Sequence, residues 1–303
     1  MASSENSRGA LFMSLAMAAF TCNDALVKSV TGSLSVAQII TVRGIMTTVL
    51  IYAVARHMGA LRPLSVLMQP PILIRTFFEL GATLTFISAL GRIDFANVSS
   101  IMQSLPLAVT LGAALFLGEP VGWRRWSAIA VGFCGVLIIL RPTSDGFAAP
   151  SLLLLAAVFF TSGRDLATRR IVSDVPSLTI SLFTAAANTV VGALLIVPMG
   201  GWQPLTAANF LPLTIAALLV FAGYQAVIMS MRTGEISFVA PFRYTGLIWG
   251  LVLGVVFFGE RPDLPVFVGA AVIIGSGLYS FYRESKRRRP TAAEAGPVPP
   301  MAK

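Results

Sequence analysis

Three ionisable side chains lie deep within apolar stretches of the sequence. Arg43, Glu79 and Arg243 come roughly seven to nine residues after their stretches begin, which at about 1.5 Å per residue is about 10–13 Å into a helix. A charge at that depth in a bilayer costs about 2.5–3.5 kcal/mol unless a partner or a water-filled cavity receives it. The chemistry that this placement favours is the binding of a charged small molecule. His57 is the single histidine, so a zinc or haem site is not expected.

Each of these residues also has a structural interpretation. Glu79 follows Arg75 by one helical turn, which would allow an ion pair on one helix face. Arg43 could instead hydrogen-bond to a neighbouring helix. Arg243 has only apolar residues one helical turn away on either side. We therefore expect Arg243 to face a cavity or a partner helix, and it is the candidate for binding a carboxylate.

Uncharged polar and aromatic residues complete the predicted substrate site. Gln103 and Gln225 could hydrogen-bond to a solute, and Tyr224, Tyr244 and Trp249 could contact its apolar or aromatic part. Together with a deep arginine, this set suits a zwitterionic amino acid. It also suits other small organic anions and nucleoside-like metabolites. Tyr244 and Trp249 have an ordinary packing role as their alternative.

Two aspartates are candidate gate residues because each has a cation one helical turn later. Asp24 precedes Lys28, and Asp165 precedes Arg169, so the sequence predicts two ion pairs within single helices. The alternative is that both are solvated pairs at helix ends. Arg164 is interpreted as a side chain that extends towards the cytoplasm.

The composition indicates a membrane protein. Of the 303 residues, 56% are hydrophobic and 12% are charged, against roughly 25% charged in soluble domains. A span needs about 20 apolar residues to cross a hydrocarbon core of about 30 Å, and ten such stretches are present. The sequence therefore predicts an all-α integral membrane protein. The predicted spans are 9–29, 34–55, 71–91, 96–117, 122–140, 150–170, 177–198, 209–231, 236–258 and 264–283.

The net charge of +9 is distributed unevenly along the chain. Starting from a cytoplasmic N-terminus, the inner side collects fifteen Lys and Arg residues and the outer side four. This bias predicts that both termini are cytoplasmic, and it assigns the basic charge to topology and the lipid bilayer rather than to nucleic acid. Residues 284–303 are predicted to form a disordered, basic cytoplasmic tail.

The second half of the chain repeats the first. Residues 92–142 return in altered form about 141 positions later. Asp94 and Glu235 each begin an apolar run that ends in a Gly-Glu pair. Five spans in each copy carry the chain across the membrane, so the second copy must be inserted upside down. The predicted halves are 9–142 and 150–283, two inverted five-helix repeats.

The repeated Gly-Glu pair and two prolines are predicted to shape the helices. Gly118–Glu119 and Gly259–Glu260 are interpreted as turns after left-handed glycines, with a gate contribution of the carboxylates as the alternative. Pro106 and Pro241 each release a backbone carbonyl within a span, which would make a hinge or a static bend.

On these features the chain resembles the drug/metabolite transporter (DMT) superfamily of the EamA type, over nearly all of residues 9–283. It looks most like the YddG-type bacterial exporters of aromatic and other neutral amino acids. The resemblance implies a central cavity lined by spans 3, 4, 8 and 9 with spans 1, 2, 6 and 7. It also implies export of small metabolites across the bacterial inner membrane. Arg43 occupies a place where EamA-type proteins often carry arginine.

The predicted function is therefore alternating-access export of a small molecule, most simply an amino acid, by a monomer that needs no cofactor. A carrier of another organic anion or drug-like solute is the alternative. A membrane-embedded transferase would need clustered catalytic groups, and a channel a ring of selectivity groups; the sequence favours neither. Energy coupling stays open, because Glu79 is the only predicted proton-binding carboxylate and Arg75 could neutralise it.

Overall fold

The computed structural model describes residues 2–142, 147–171 and 175–288, and this part of the chain is helical. Most of the helices are long and apolar, in agreement with the predicted fold class. The helices are α1 (Ala2–Val30), α2 (Val36–His57), α3 (Leu64–Leu67), α4 (Pro70–Leu90), α5 (Phe95–Met102), α6 (Leu105–Phe116), α7 (Trp123–Leu140), α8 (Ala149–Thr168), α9 (Ser177–Leu195), α10 (Ala207–Thr233), α11 (Ile236–Val239), a 3₁₀ segment (Ala240–Tyr244), α12 (Thr245–Phe258) and α13 (Leu264–Arg288).

Ten segments of the described chain are long and apolar enough to cross a membrane, which confirms the predicted number of spans. Helices α5 and α6 share one span, Phe95–Phe116, and the 3₁₀ segment shares another, Ala240–Phe258, with α12. Helix α13 continues to Arg288, five residues into the predicted tail; the rest of that tail, 289–303, lies outside the described residues.

Alternate spans run in opposite directions, which defines two faces. We call the face where α1 begins the N-face and the face where α1 ends the far face. At the N-face, the Ser230 hydroxyl at the end of α10 donates to the Gly9 carbonyl of α1 over 2.6 Å. At the far face, the Lys28 ammonium donates to the carbonyl oxygen of Ile93, which follows α4. Each face thus has its own set of interhelical contacts.

Local sequence determines where several helices begin and end. Ser35 begins α2, because its hydroxyl accepts a hydrogen bond from the Gln38 backbone N–H over 3.2 Å. Gly118 and Gly259 have φ of +66° and +63°, a region that favours glycine. The next residue in each case donates its backbone N–H to a carbonyl six residues earlier, which satisfies a carbonyl at the end of the helix. The predicted turns at both Gly-Glu pairs are confirmed.

The spans pack as pairs that join the two halves of the chain. Helix α1 packs on α10, α4 on α8, α2 on α9, α5 on α12 and α7 on α13. Glycines permit close approach at these crossings. On α2, Gly44 lies against Thr189 of α9, and reciprocally Gly192 of α9 lies against Thr41 of α2. A side chain in place of either glycine would collide with the partner helix.

The large apolar core lies nearer the far face. It joins the far ends of α1, α4 and α12 with the start of α5, through residues such as Val30, Leu90, Phe95 and Leu253. At this end α5 packs on α12. Towards the N-face the matching pieces, α6 and the 3₁₀ segment, barely touch within the described residues. The bundle is therefore closely packed at the far face and looser at the N-face.

Candidate functional site

A charged cluster lies where α4 crosses α8, and Arg164 is its centre. Arg164 Nη1 lies 3.2 Å from Glu79 Oε2, and its Nη2 lies 2.8 Å from Asp165 Oδ1. Side-chain exposures of 18% for Glu79, 22% for Arg164 and 31% for Asp165 show that all three are largely withdrawn from solvent. The predicted extension of Arg164 towards the cytoplasm is wrong, because two carboxylates hold its guanidinium within the bundle.

Close packing of α4 on α8 brings these groups together. Gly81, two residues after Glu79, leaves no room for a side chain beside the Phe160 ring, and Gly163 is equally close to the Phe78 ring. The four phenylalanines Phe77, Phe78, Phe159 and Phe160 stack edge to face along the same crossing. The aromatic contacts and the glycines fix the spacing of α4 and α8. At this spacing Glu79 faces Arg164.

Arg75 completes the charged cluster with hydrogen bonds to two hydroxyls. Its Nε donates to Thr168 Oγ1 over 3.1 Å, and its Nη1 donates to Thr184 Oγ1 over 2.7 Å. The alternative pairing of Arg75 with Glu79 is therefore wrong, since Glu79 pairs across the helix interface with Arg164 instead. We define the charged cluster as Arg75, Glu79, Arg164 and Asp165; it contains two cations and two anions.

Tyr224 of α10 lies beside this cluster and is half exposed. Its ring packs edge to face on Phe20 of α1, with 5.2 Å between ring centroids. Gly223 lets α10 approach α1 closely, since a side chain there would collide with the same Phe20 ring. Tyr224 is close enough to all four members of the charged cluster for electrostatic interaction. Of the predicted substrate residues, the structure thus brings Glu79 and Tyr224 together.

A second polar group, the Asp24 trio, consists of Asn23, Asp24 and Arg43. Asn23 Nδ2 donates to Asp24 Oδ1 over 2.8 Å, while Asn23 Oδ1 accepts from Arg43 Nη1 over 3.3 Å. The predicted Asp24–Lys28 pair is wrong, because the Lys28 ammonium points away towards carbonyl oxygens at the far face. The proposed interhelical hydrogen bond of Arg43 is confirmed by its bond to Asn23 of α1.

Two Gly-Glu carboxylates occupy contrasting environments at the two faces. At the far face, Glu260 accepts hydrogen bonds from the backbone N–H groups of Phe95 and Ala96, over 2.5 and 2.9 Å, and lies 3.8 Å from the Lys28 ammonium. At the N-face, Glu119 lies 2.9 Å from Arg169 Nη1. The predicted Asp165–Arg169 pair is wrong, because Asp165 pairs with the adjacent Arg164 and Arg169 pairs with Glu119.

The remaining predicted substrate residues are not gathered at one place: Gln103, Tyr244 and Trp249 lie on or against the 3₁₀ segment and α12, whereas Gln225 lies on α10. Gln103 lies against Gly246, where a β-carbon would come within 3.1 Å of the Gln103 amide nitrogen. Tyr244 is buried against α13, and no hydrogen bond to its hydroxyl exists among the described residues. Trp249 is 39% exposed, and Gln225 is also exposed.

Arg243 lies in the 3₁₀ segment near the N-face and is partly exposed. Within 2–142, 147–171 and 175–288, its guanidinium has no ion-pair partner within 4.0 Å. A partly exposed cation without a carboxylate partner is free to meet an anionic solute. That Arg243 faces a cavity stays a prediction.

The two prolines lie where spans are interrupted. Pro106 is in the first turn of α6, directly after the break at Gln103–Ser104, and Pro241 is in the first turn of the 3₁₀ segment. Proline lacks a backbone N–H, so the α-helical hydrogen-bond pattern cannot continue through it. The break before Pro106 falls near the middle of the span Phe95–Phe116. The break at Pro241 lies at the N-face end of the span Ala240–Phe258.

Comparisons with known proteins agree with this architecture. A solved crystal structure aligns with a TM-score of 0.64 over 94% of this chain and 99% of that chain. At 19% sequence identity, the likeness shows the fold. The chain also matches the EamA-like transporter family twice, at residues 7–141 and 149–282. These matches define a multi-pass membrane transporter of small molecules.

The chain belongs to the EamA-like transporter family, within the drug/metabolite transporter superfamily. It is 28% identical to a riboflavin transporter of Rhizobium johnstonii over 207 residues, 68% of each chain. It is 26% identical to the pseudopaline exporter CntI of Pseudomonas aeruginosa over 271 residues, 88% of this chain and 93% of that one. The two relatives are thus named for different substrates.

Proposed function

We propose that this transporter exports neutral amino acids, including aromatic ones, across the bacterial inner membrane, as the YddG-type exporters do. The observation that carries this proposal is the charged cluster beside Tyr224, with two cations and two anions. A zwitterion adds no net charge to the interior when it exchanges partners with such a cluster. A solute with net charge would leave one buried charge uncompensated, at a cost of several kcal/mol.

Each part of an amino acid then has a candidate partner. Its carboxylate meets Arg243 near the N-face and then Arg164, and its ammonium group meets Glu79. Tyr224 and Trp249 contact the side chain. Gln103, Gln225 and Tyr244 stay in the proposed set at its edge, where they would contribute hydrogen bonds once α12 moves.

The proposed architecture is two inverted five-helix halves, 9–142 and 150–283. Two separate family matches support this division. The helix pairs support it as well. In the repeat, α1 corresponds to α8, α2 to α9 and α4 to α10, so the α1–α10 pair is equivalent to the α8–α4 pair, and the α2–α9 pair is equivalent to itself. The excess of Lys and Arg at the N-face supports a cytoplasmic location of both termini.

The proposed mechanism is alternating access by one monomer, and the contacts at the two faces support a cytoplasm-open conformation. The far face has the large apolar core and the buried Lys28–Glu260 pair, whereas α6 barely touches the 3₁₀ segment near the N-face. Pro106 and Pro241 lie at the span interruptions and are the proposed hinges. Asp24 and Asp165 are proposed to move with them as the helices rearrange.

Counterflow in liposomes tests the proposal. Vesicles that contain the purified protein and unlabelled phenylalanine are given a trace of labelled phenylalanine outside, with riboflavin in a parallel experiment. We expect saturable, counterflow-stimulated uptake of phenylalanine. Tyr224→Ala is expected to reduce it about tenfold, since loss of an aromatic contact and a hydroxyl removes about 1.4 kcal/mol. Tyr282→Ala is the matched control, because Tyr282 is 62% exposed on α13.

Arg243→Ala gives a second readout on the substrate's charge. It is expected to raise the half-saturating concentration for phenylalanine and to leave that for phenethylamine, which lacks a carboxylate, unchanged. Equal effects on both solutes would remove Arg243 from the site. Uptake of riboflavin without any uptake of phenylalanine would contradict the amino-acid proposal, and chemical conversion of phenylalanine without transport would contradict transport itself.

A further inference from the structure

Three carboxylates inside the spans have unequal partners. Glu79 and Asp165 share the guanidinium of Arg164, at 3.2 and 2.8 Å. Asp24 differs, because no cation lies within 4.0 Å of it among the described residues. Its hydrogen-bond partner is the neutral amide of Asn23, at 2.8 Å. An ionised carboxylate without a direct counter-ion is the least stable of the three in a membrane interior.

The Asn23 side chain is held in the orientation that serves Asp24. It is 3% exposed, and its carbonyl oxygen accepts from Arg43, so its nitrogen must point at the carboxylate. In the second half of the chain, 141 positions later, Arg164 stands where Asn23 does and Asp165 stands where Asp24 does. The first half thus places an amide where the second half places a cation.

Other charged groups near α1 do not neutralise Asp24 directly. Lys28 lies one turn away, but its ammonium donates to Leu90 and Ile93 carbonyls and pairs with Glu260. Helices α5, α11 and α12 pack on α1 and carry no ionisable side chain. The ionisable groups on the other elements near α1 are Arg43, Tyr52, Arg56 and His57 of α2, Arg75 and Glu79 of α4, Tyr224 and Arg232 of α10, and Arg243 and Tyr244 of the 3₁₀ segment.

We propose that Asp24 is a proton-binding site of this transporter, which takes up a proton in one conformation and releases it in the other. The inference rests on the proposed transport function. Binding converts the carboxylate to a neutral carboxyl group, while the Asn23 bond can persist. Asp24 is partly exposed, so water can bring and remove the proton. Glu79 is the weaker candidate because it already has a direct cationic partner, Arg164, at 3.2 Å.

Infrared spectroscopy tests the site without any substrate. Spectra of the full chain in lipid nanodiscs are compared between about pH 5 and about pH 9, a range in which buried carboxyl groups titrate. We expect a protonated-carboxyl band that appears as the pH falls. The band should vanish in Asp24→Asn and remain in the matched variant Asp165→Asn. A band that survives in Asp24→Asn, or that is lost only in Asp165→Asn, would overturn the assignment.

A second variant keeps the carboxylate and changes its neighbour. Asn23→Arg copies the arrangement of the second half and places a cation beside Asp24. We expect the midpoint of the band to move about 1–3 pH units lower, as a nearby arginine does to a carboxylate. An unchanged midpoint in a variant that melts at the wild-type temperature would also overturn the proposal.

Transport separates this inference from the proposed function. In liposomes with an imposed proton gradient, wild-type protein should accumulate phenylalanine against its own gradient, and Asp24→Asn should abolish that accumulation while leaving counterflow measurable. Accumulation that survives in Asp24→Asn would contradict the proton site. Absence of phenylalanine counterflow in the wild type would contradict the proposed function, and the infrared result would then decide the Asp24 assignment by itself.

Discussion

Each face of the molecule has an ion pair between the glutamate of a Gly-Glu turn and a cation, and the two pairs differ in burial. At the far face, the side chains of Lys28 and Glu260 are 15% and 9% exposed. At the N-face, those of Arg169 and Glu119 are 50% and 44% exposed. Both glutamates follow a left-handed glycine and come 141 positions apart. The turn is therefore common to both faces, and the difference lies in what the carboxylate reaches.

The difference in burial between the two glutamates follows from the hydrogen bonds that Glu260 accepts from backbone N–H groups. Its two oxygens receive the N–H groups that begin α5, where no earlier turn of the helix supplies partners. Glu119 has no such contact with the start of α11 within the described residues. A partly exposed ion pair contributes little, whereas a buried carboxylate with two backbone donors holds two helices together. The far-face contact is the stronger one in this conformation.

The largest expected effect comes from removing the buried carboxylate. Glu260→Ala should lower the melting temperature strongly, because loss of charged hydrogen bonds and a helix cap costs about 2–3 kcal/mol. Glu119→Ala is the matched variant at the other face, with an expected cost below about 1 kcal/mol. Thermal unfolding in detergent compares the two. Equal losses would show that the faces do not differ in strength.

A steric change at the far face should have the next largest effect. Gly250 of α12 leaves no room for a side chain beside Ser99 of α5. Gly250→Leu should therefore force α5 away from α12, at a cost of about 1–3 kcal/mol. Gly275→Leu is the control, because nothing lies within 4 Å of a β-carbon built there. The measurement is crosslinking between cysteines placed at the far ends of α5 and α12, which should decrease only in Gly250→Leu.

Removing the far-face cation should open that face more modestly. Lys28→Met loses two hydrogen bonds and one ion pair, so labelling of Ser99→Cys by a far-side reagent should rise about tenfold, the equivalent of about 1.4 kcal/mol. Arg169→Met at the N-face should leave that labelling rate within about twofold. A rise in both variants would mean that the two pairs act on one shared equilibrium.

The smallest effect is expected at a far-face pair that is exposed. The hydrogen bond from Arg141 lowers the pKa of Asp263, so any stabilisation is present above the ordinary carboxyl pKa and is lost as pH falls through the lowered value. Both side chains are about half exposed. Asp263→Asn should therefore leave the melting temperature at neutral pH unchanged. A clear drop in the melting temperature would show that an ion pair stabilises the protein because it lies at the far face, and not because it is buried.

The sequence predicts what depends on local or periodic patterns. Hydropathy identifies all ten spans, and the Gly-Glu pairs predict turns, because both signals lie in neighbouring residues. The Asp24–Lys28 and Asp165–Arg169 pairs were predicted within single helices, with Arg75–Glu79 as an alternative of the same kind, and each of the three is wrong. Helical spacing cannot show that a neighbouring helix offers a closer partner, as α8 does with Arg164.

One clue to Arg164 does exist in the sequence. Its repeat counterpart is Asn23, an uncharged residue that also precedes an aspartate. The first half has an amide and the second half a cation at the same position before the aspartate. Extension of Arg164 towards water does not explain this difference between the halves. Which helix faces Arg164 still depends on the crossing angle set by Gly81 and Gly163, and that is a property of the packed bundle.

The most direct measurement is the labelling of Tyr224→Cys from each side of the membrane, with Cys22 and Cys134 replaced by alanine. A maleimide that cannot cross the bilayer is added to vesicles of either orientation. Because the N-face is the more open, labelling from that side should be at least about tenfold faster than from the far side. Equal rates, or faster labelling from the far side, would contradict the conformation and the comparison of the two faces.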